Sequence, residues 1–100
     1  MKAKLIKAGS DELIEIEPKD GRYFSLEEMQ GYVGGYIEVL TPEGISGARL
    51  VVNEEGKLIG LPVNTLATAI WQEFADPGSQ RMGDPVVGDV ILCHDSQLER

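Results

Sequence analysis

The sequence predicts an α+β fold: a small mixed, mostly antiparallel sheet of five to six strands with two amphipathic helices on one face. Three observations carry this. Ile14 and Ile16 alternate with Glu15 and Glu17, the period-two pattern of a half-buried strand. Two segments open with helix-start chemistry, Ser25-Leu26-Glu27-Glu28 and Asn64 ahead of an apolar stripe. Residues 86–93 are apolar apart from Gly88 and Asp89, which fits a strand buried on both sides or central in the sheet.

Taken in order, residues 2–8 read as a first strand with lysines at 2, 4 and 7, and Gly9-Ser10 as a turn. Residues 12–17 return as the second strand of a hairpin, and Pro18-Lys19-Asp20-Gly21 is a loop. In the first helix Ser25 caps the N–H of Glu28 and Glu28 reaches back, while Phe24 and Met29 make a hydrophobic staple. Leu26, Met29 and Val33 form its buried stripe, and Gly34-Gly35 ends it with the left-handed residue that helix termini favour.

Residues 36–40 form the next strand, with Ile37 and Val39 on one face, and residues 41–47 are a Pro- and Gly-rich loop. Ala48, Leu50 and Val52 share one face of the following strand. Asn53-Glu54-Glu55-Gly56 reads as a hairpin turn, Lys57-Leu58-Ile59 as a short returning strand, and Gly60-Leu61-Pro62 as its stop. Asn64 then caps a second helix, whose stripe is Leu66, Ala67, Ile70, Trp71, Phe74 and Ala75. Asp76-Pro77-Gly78 ends that helix, residues 76–85 form the longest loop, and residues 94–100 are a polar tail. The expected order is β-β-α-β-β-β-α-β, in one domain spanning residues 1–100.

Three segments together resemble a known family. They are Val33-Gly34-Gly35-Tyr36-Ile37-Glu38-Val39, the run N-E-E-G-K-L-I-G-L-P-V-N-T-L-A-T-A from Asn53 to Ala69, and Gly88-Asp89-Val90-Ile91-Leu92. In this order, over roughly residues 24–93, they resemble an uncharacterised family of small proteins from bacteriophages and mobile elements, a domain of unknown function. The resemblance implies a setting and a fold. It implies no activity and no catalytic residues.

Composition narrows the functional classes. Lys and Arg number 9 against 17 Asp and Glu, for a net charge of −8. Direct nucleic-acid binding is disfavoured, because phosphate contacts need clustered cations, and an anionic membrane surface is repelled. No window approaches the ~18 apolar residues of a membrane span, and the N-terminus lacks the apolar core of a signal peptide. Cys93 is the one cysteine, so no intramolecular disulfide forms, which fits a reducing compartment; the expected location is the cytoplasm, the host's if the protein is phage-encoded. No cofactor is called for.

The chemistry-bearing residues mostly explain themselves as architecture. Gly31, Gly34 and Gly35 follow a helix and precede a strand, the reverse of a phosphate loop. Cys93, His94 and Asp95 alternate faces along a strand and lack the further soft ligand a zinc site needs, so no metal site is assigned. Glu15 with Glu17, and Glu54 with Glu55, lie on a polar hairpin face and in a turn, where carboxylates are solvated rather than catalytic.

What remains are candidate ligand-binding residues. These are the turn residues Asn53, Glu54, Glu55 and Lys57, the start of the second helix at Asn64 and Thr65, and the aromatics Tyr32 and Tyr36 flanking the diglycine. A helix start favours anions through its free N–H groups and dipole. The expected function is therefore a non-enzymatic accessory protein binding a host component or a small anionic signal such as a nucleotide. Two alternatives stand beside it: an acidic DNA mimic that occupies a host DNA-binding protein, and a plain structural or interaction domain. Edge strands in so small a sheet also offer a route to a homodimer.

Overall fold

In the computed structural model, residues 2–10, 12–42, 44–74 and 84–98 are described. The elements run β1 (Ala3–Ile6), β2 (Leu13–Ile16), α1 (Leu26–Val33), β3 (Ile37–Leu40), β4 (Ala48–Asn53), α2 (Thr65–Phe74), β5 (Val90–His94) and a final 3-10 turn, Asp95–Gln97. The strands form one sheet in the order β2-β1-β5-β4-β3, and all four pairings are antiparallel. A parallel arrangement occurs only at the isolated Phe24–Leu98 bridge among the described residues.

The local start and stop signals act as their chemistry dictates. Ser25 Oγ accepts from the Glu28 N–H at 3.1 Å. Gly34 closes α1 at φ +82°, its N–H bonded to the Gln30 carbonyl at 2.8 Å. The Glu28 carboxylate does not return to the cap; it accepts from the Lys19 N–H at 3.1 Å, tying the loop before the helix to its first turn. Asn64 Oδ1 accepts from the Ala67 N–H at 3.1 Å and caps α2. The second helix's expected stop and most of the loop after it, residues 76–83, lie outside the described residues, as does the side chain of Phe74.

Two expectations of the architecture are corrected, with a stripe residue and a strand start beside them. The helices do not share a face of the sheet. Ile6, Leu50, Val52 and Val90 pack with Ala67 and Trp71 of α2, whereas Ala3, Val51, Ile91 and Cys93 pack with Phe24, Met29 and Val33 around α1. Neighbours along a strand point to opposite faces, so β4 and β5, apolar at successive positions, require a cover on each side. Consistent with this, Leu50, Val51, Val90 and Ile91 are fully buried. Leu26, expected in the buried stripe, is 54% exposed, and α1 packs through Met29 and Val33 instead.

The second correction concerns residues 57–59, which form no strand. Both edges of β4 are already occupied, by β3 and β5, so a segment returning from β4 has no ladder to join. The chain coils instead: Gly56 N–H bonds the Asn53 carbonyl, Ile59 N–H that of Glu55, and Leu61 N–H that of Gly56, at 3.2, 3.0 and 2.9 Å. The sheet therefore has five strands. Its last strand starts later than expected. Val87 first bridges Val63, and Gly88 at φ +76° turns the chain into β5. A Cβ at Gly88 would lie 2.8 Å from Leu61 Cδ1, so a substitution would displace the end of that side chain as well as strain the backbone angle.

Candidate functional site

β4 ends where coiled turn and helix meet, and three of the candidate residues, Asn53, Glu54 and Lys57, line one cleft there. Asn53, the last residue of β4, is buried. Its amide donates to the Val33 carbonyl at 3.1 Å, and its Oδ1 accepts from the Glu55 N–H at 2.8 Å. One side chain thus joins the end of α1 to the start of the coil. Gly35 lies so close that a Cβ there would sit 3.0 Å from the Asn53 amide nitrogen. The coil of residues 54–60 then carries Glu54, Glu55 and Lys57 outward, all exposed.

On the α2 side of the sheet this coil closes a cleft of about 260 Å³. Leu40, Val52, Trp71 and Val86 supply its apolar wall, and all four are buried. Glu38, Glu54, Lys57 and Asp84 supply its charged rim. Lys57 Nζ stands 3.3 Å from the Asp84 carboxylate, an ion pair between the coil and the segment leading to β5. Both side chains are more than half exposed, so the pair contributes little stability and is free to rearrange. Asp84 and Trp71 escaped the sequence reading of the site. Trp71 is legible only as a core residue of α2, and Asp84 lies in a loop far along the chain.

The other candidates fall elsewhere. Glu55 and Tyr36 line a shallower depression of about 290 Å³ on the other side of Asn53, with Gly34, Gly35 and Ile59. Tyr36 is 65% exposed there. Tyr32 is half-buried against the α1 core and borders an open surface hollow with Ser25 and Glu28. At the start of α2, Thr65 is exposed, but Asn64 is only 1% exposed and committed to the fold. Besides capping Ala67, its amide donates to the carbonyls of Ile6 at 2.9 Å and Gly88 at 2.8 Å. The side chain thus binds β1, the entry to β5 and α2 together.

Several of the remaining titratable groups are engaged in the fold. Lys4 bonds the Glu15 carboxylate at 2.9 Å; that bond, with the charge of Lys2 behind it, holds the carboxyl below its ordinary range, the wrong direction for a proton donor near neutrality. The His94 Nδ1 accepts from the Ser96 N–H at 3.0 Å, and Asp95 lies 3.5 Å from Arg49. The neighbouring Cys93 faces the α1 core. Among the described residues no group of three His, Cys, Asp or Glu is placed to share a metal ion.

Burial pushes the Cys93 thiol from 9.0 up to about 12, against the opposing pull of the Arg49 charge. The folded protein therefore keeps this proton where the unfolded chain has lost it. Stability from this group is intact below pH 9 and falls as pH rises toward 12. A Cys93→Ala variant is expected to lack that portion of the alkaline decline, as read by urea unfolding at pH 8 and pH 10. Native protein is likewise expected to resist a thiol reagent that labels it promptly in denaturant. Prompt labelling of the native state would contradict the burial.

An antiparallel five-stranded sheet covered by one helix on each face, with a small cleft at one edge, defines a compact α+β domain. The chain matches the model of the domain of unknown function DUF3846 over residues 1–99 and belongs to that family. No curated protein and no solved structure matches it. Among the described residues, no helix is long and apolar enough to cross a membrane.

Proposed function

We propose that this domain is a non-enzymatic binding module for a small molecule, acting as an accessory protein of a phage or mobile element, with the cleft beside Trp71 as its site. One observation carries the reading: the cleft pairs an apolar wall of Leu40, Val52 and Trp71 with a charged rim of Glu54, Lys57 and Asp84. Ligand sites combine apolar walls with a few placed polar groups in this way. At about 260 Å³ the cleft is small for such sites, which run from roughly 300 Å³ upward. It suits a ligand about the size of a single ring system, so a nucleotide would place only its base inside.

Titration of isotope-labelled protein with a library of single-ring fragments tests this. Amide shifts are expected to concentrate at Asn53, Glu54, Lys57 and the Trp71 indole N–H. Hits confined to other surfaces, or none at millimolar fragment, would defeat the reading.

A further inference from the structure

We infer that β2 is a self-association edge: two copies of this chain pair their β2 strands antiparallel about a two-fold axis at Ile14 and continue one sheet through both molecules. β2 ends the sheet order, and among the described residues no strand pairs with its outer side. Its inner side is fixed by the ladder to β1. The Lys7 N–H bonds the Glu12 carbonyl at 3.3 Å, which makes Lys7–Glu12 a hydrogen-bonded pair. Such pairs alternate along an antiparallel ladder, so Leu5–Ile14 and Ala3–Ile16 are the next ones. Leu13 and Glu15 therefore turn their N–H and carbonyl groups outward, and an edge of this kind is a template for another strand.

The side chains point the same way. Leu13 is 54% and Ile14 39% exposed, on opposite faces of a strand whose next apolar residue, Ile16, is buried. Leu13 stands beside Ile6 of the α2-side core, and Ile14 beside Leu5 of the α1-side core. Both cores thus run out to β2 and end there uncovered, since α1 lies mainly over β3, β4 and β5. The opposite edge, β3, exposes only Val39 among its three apolar side chains.

The charges select a second copy as the occupant. Glu15 is the one charged residue of β2, and Lys4 at 2.9 Å and Lys2 at 3.6 Å, on the same hairpin, already hold it. Pairing about Ile14 sets Leu13 opposite Glu15 of the second copy, and the reverse. These are the residues with outward amides, so each of the two pairs exchanges two hydrogen bonds. Ile14 meets its own counterpart across the axis at a non-hydrogen-bonded position, where side chains approach most closely. An axis at Glu15 would instead set like charges opposite each other, which is destabilising. About Ile14 the strand is complementary to itself in charge, amide direction and apolar contact. The cleft beside Trp71 lies on β3 and β4, at the far end of the sheet order, so the pairing leaves both clefts clear.

So short an edge supports a weak dimer, with a dissociation constant of about 100 µM expected from sedimentation equilibrium. Each copy carries −8, so the measurement belongs near physiological salt, which screens the repulsion. The Ile14→Lys and Ile14→Glu variants should each remain monomeric at millimolar protein, because like charges then face each other across the axis. Mixed in equal amounts they should associate again. Val39→Lys, on the opposite edge, should leave the parent's self-association unchanged. A parent that stays monomeric at millimolar protein overturns the inference and leaves β2 to a strand of another protein. Self-association that Val39→Lys abolishes and Ile14→Lys spares also overturns it, because β3 is then the edge. If both Ile14 variants keep the parent's circular dichroism and their mixture fails to associate, the two-fold at Ile14 is wrong.

Discussion

Replacing Asn64 by Asp is expected to destabilise the domain at least as much as replacing it by Ala, although aspartate is as good a helix cap as asparagine. Only the cap survives the Asp substitution. The Asn64 amide donates to the carbonyls of Ile6 and Gly88 in a site that is 1% exposed. A carboxylate there presents an acceptor to two acceptors and buries a charge without a counter-ion. The Asn64→Ala variant loses the cap, about 1 kcal/mol, and leaves buried carbonyls short of a donor, about 1–3 kcal/mol more. Together these take a large part of the ~5–15 kcal/mol typical of a domain.

The two variants separate on pH. The carboxyl introduced by Asn64→Asp regains a donor when it is protonated, which in the folded variant happens before the pH falls to its unfolded value of about 4. Burial raises its folded pKa, so its deficit shrinks as pH falls and grows as pH rises. The deficit of Asn64→Ala has no such dependence. Urea titrations of both variants and the parent at pH 3.5 and pH 7 measure this. A mild Asn64→Asp phenotype at pH 7 would show that Asn64 serves as a helix cap alone.

The second large effect is expected at Phe24, which is fully buried just ahead of α1. Its N–H bonds the Gln97 carbonyl at 2.7 Å, and it bridges Leu98. Its side chain belongs to the cluster that holds α1 on the sheet. Phe24→Ala should cost about 3–5 kcal/mol, and a domain of this size loses about 4–8 °C of Tm for each kcal/mol. Leu26→Ala, two residues on and 54% exposed, should stay within about 0.5 kcal/mol. Thermal unfolding followed by circular dichroism separates them. Equal losses at the two positions would mean that α1 is seated through its first turn, against the packing seen through Met29 and Val33.

These variants also mark what the sequence could disclose. Helix starts and stops were readable because their chemistry is local: Ser25 and Glu28 are three residues apart, and Gly34 needs only its own φ. The second duty of Asn64 was not readable, since its acceptors at Ile6 and Gly88 lie 58 and 24 residues away. The placement of the helices depended on strand order. β5 advertised two apolar faces, but β4 was read for the one face of Ala48, Leu50 and Val52, and a single shared face followed. The supposed strand at Lys57-Leu58-Ile59 failed for a reason no window contains, namely that β4 had no edge left. Of the cleft, Asn53, Glu54 and Lys57 were found because they crowd one turn, whereas Trp71 and Asp84 join it only through the fold.

The order of the sheet governs when it can form. β5 lies between β1 and β4, so the β1–β2 and β3–β4 hairpins have no direct ladder to each other and stay separate until residues 90–94 arrive to join them. A chain emerging from the ribosome would carry two half-sheets with unpaired inner edges from the completion of β4 at Asn53 until β5 follows. Such a joining step is dominated by sequence-distant contacts, and folding through them belongs to the slower millisecond-to-second regime. Any advantage from folding faster would fall to changes that protect those waiting edges, not to changes that improve either helix.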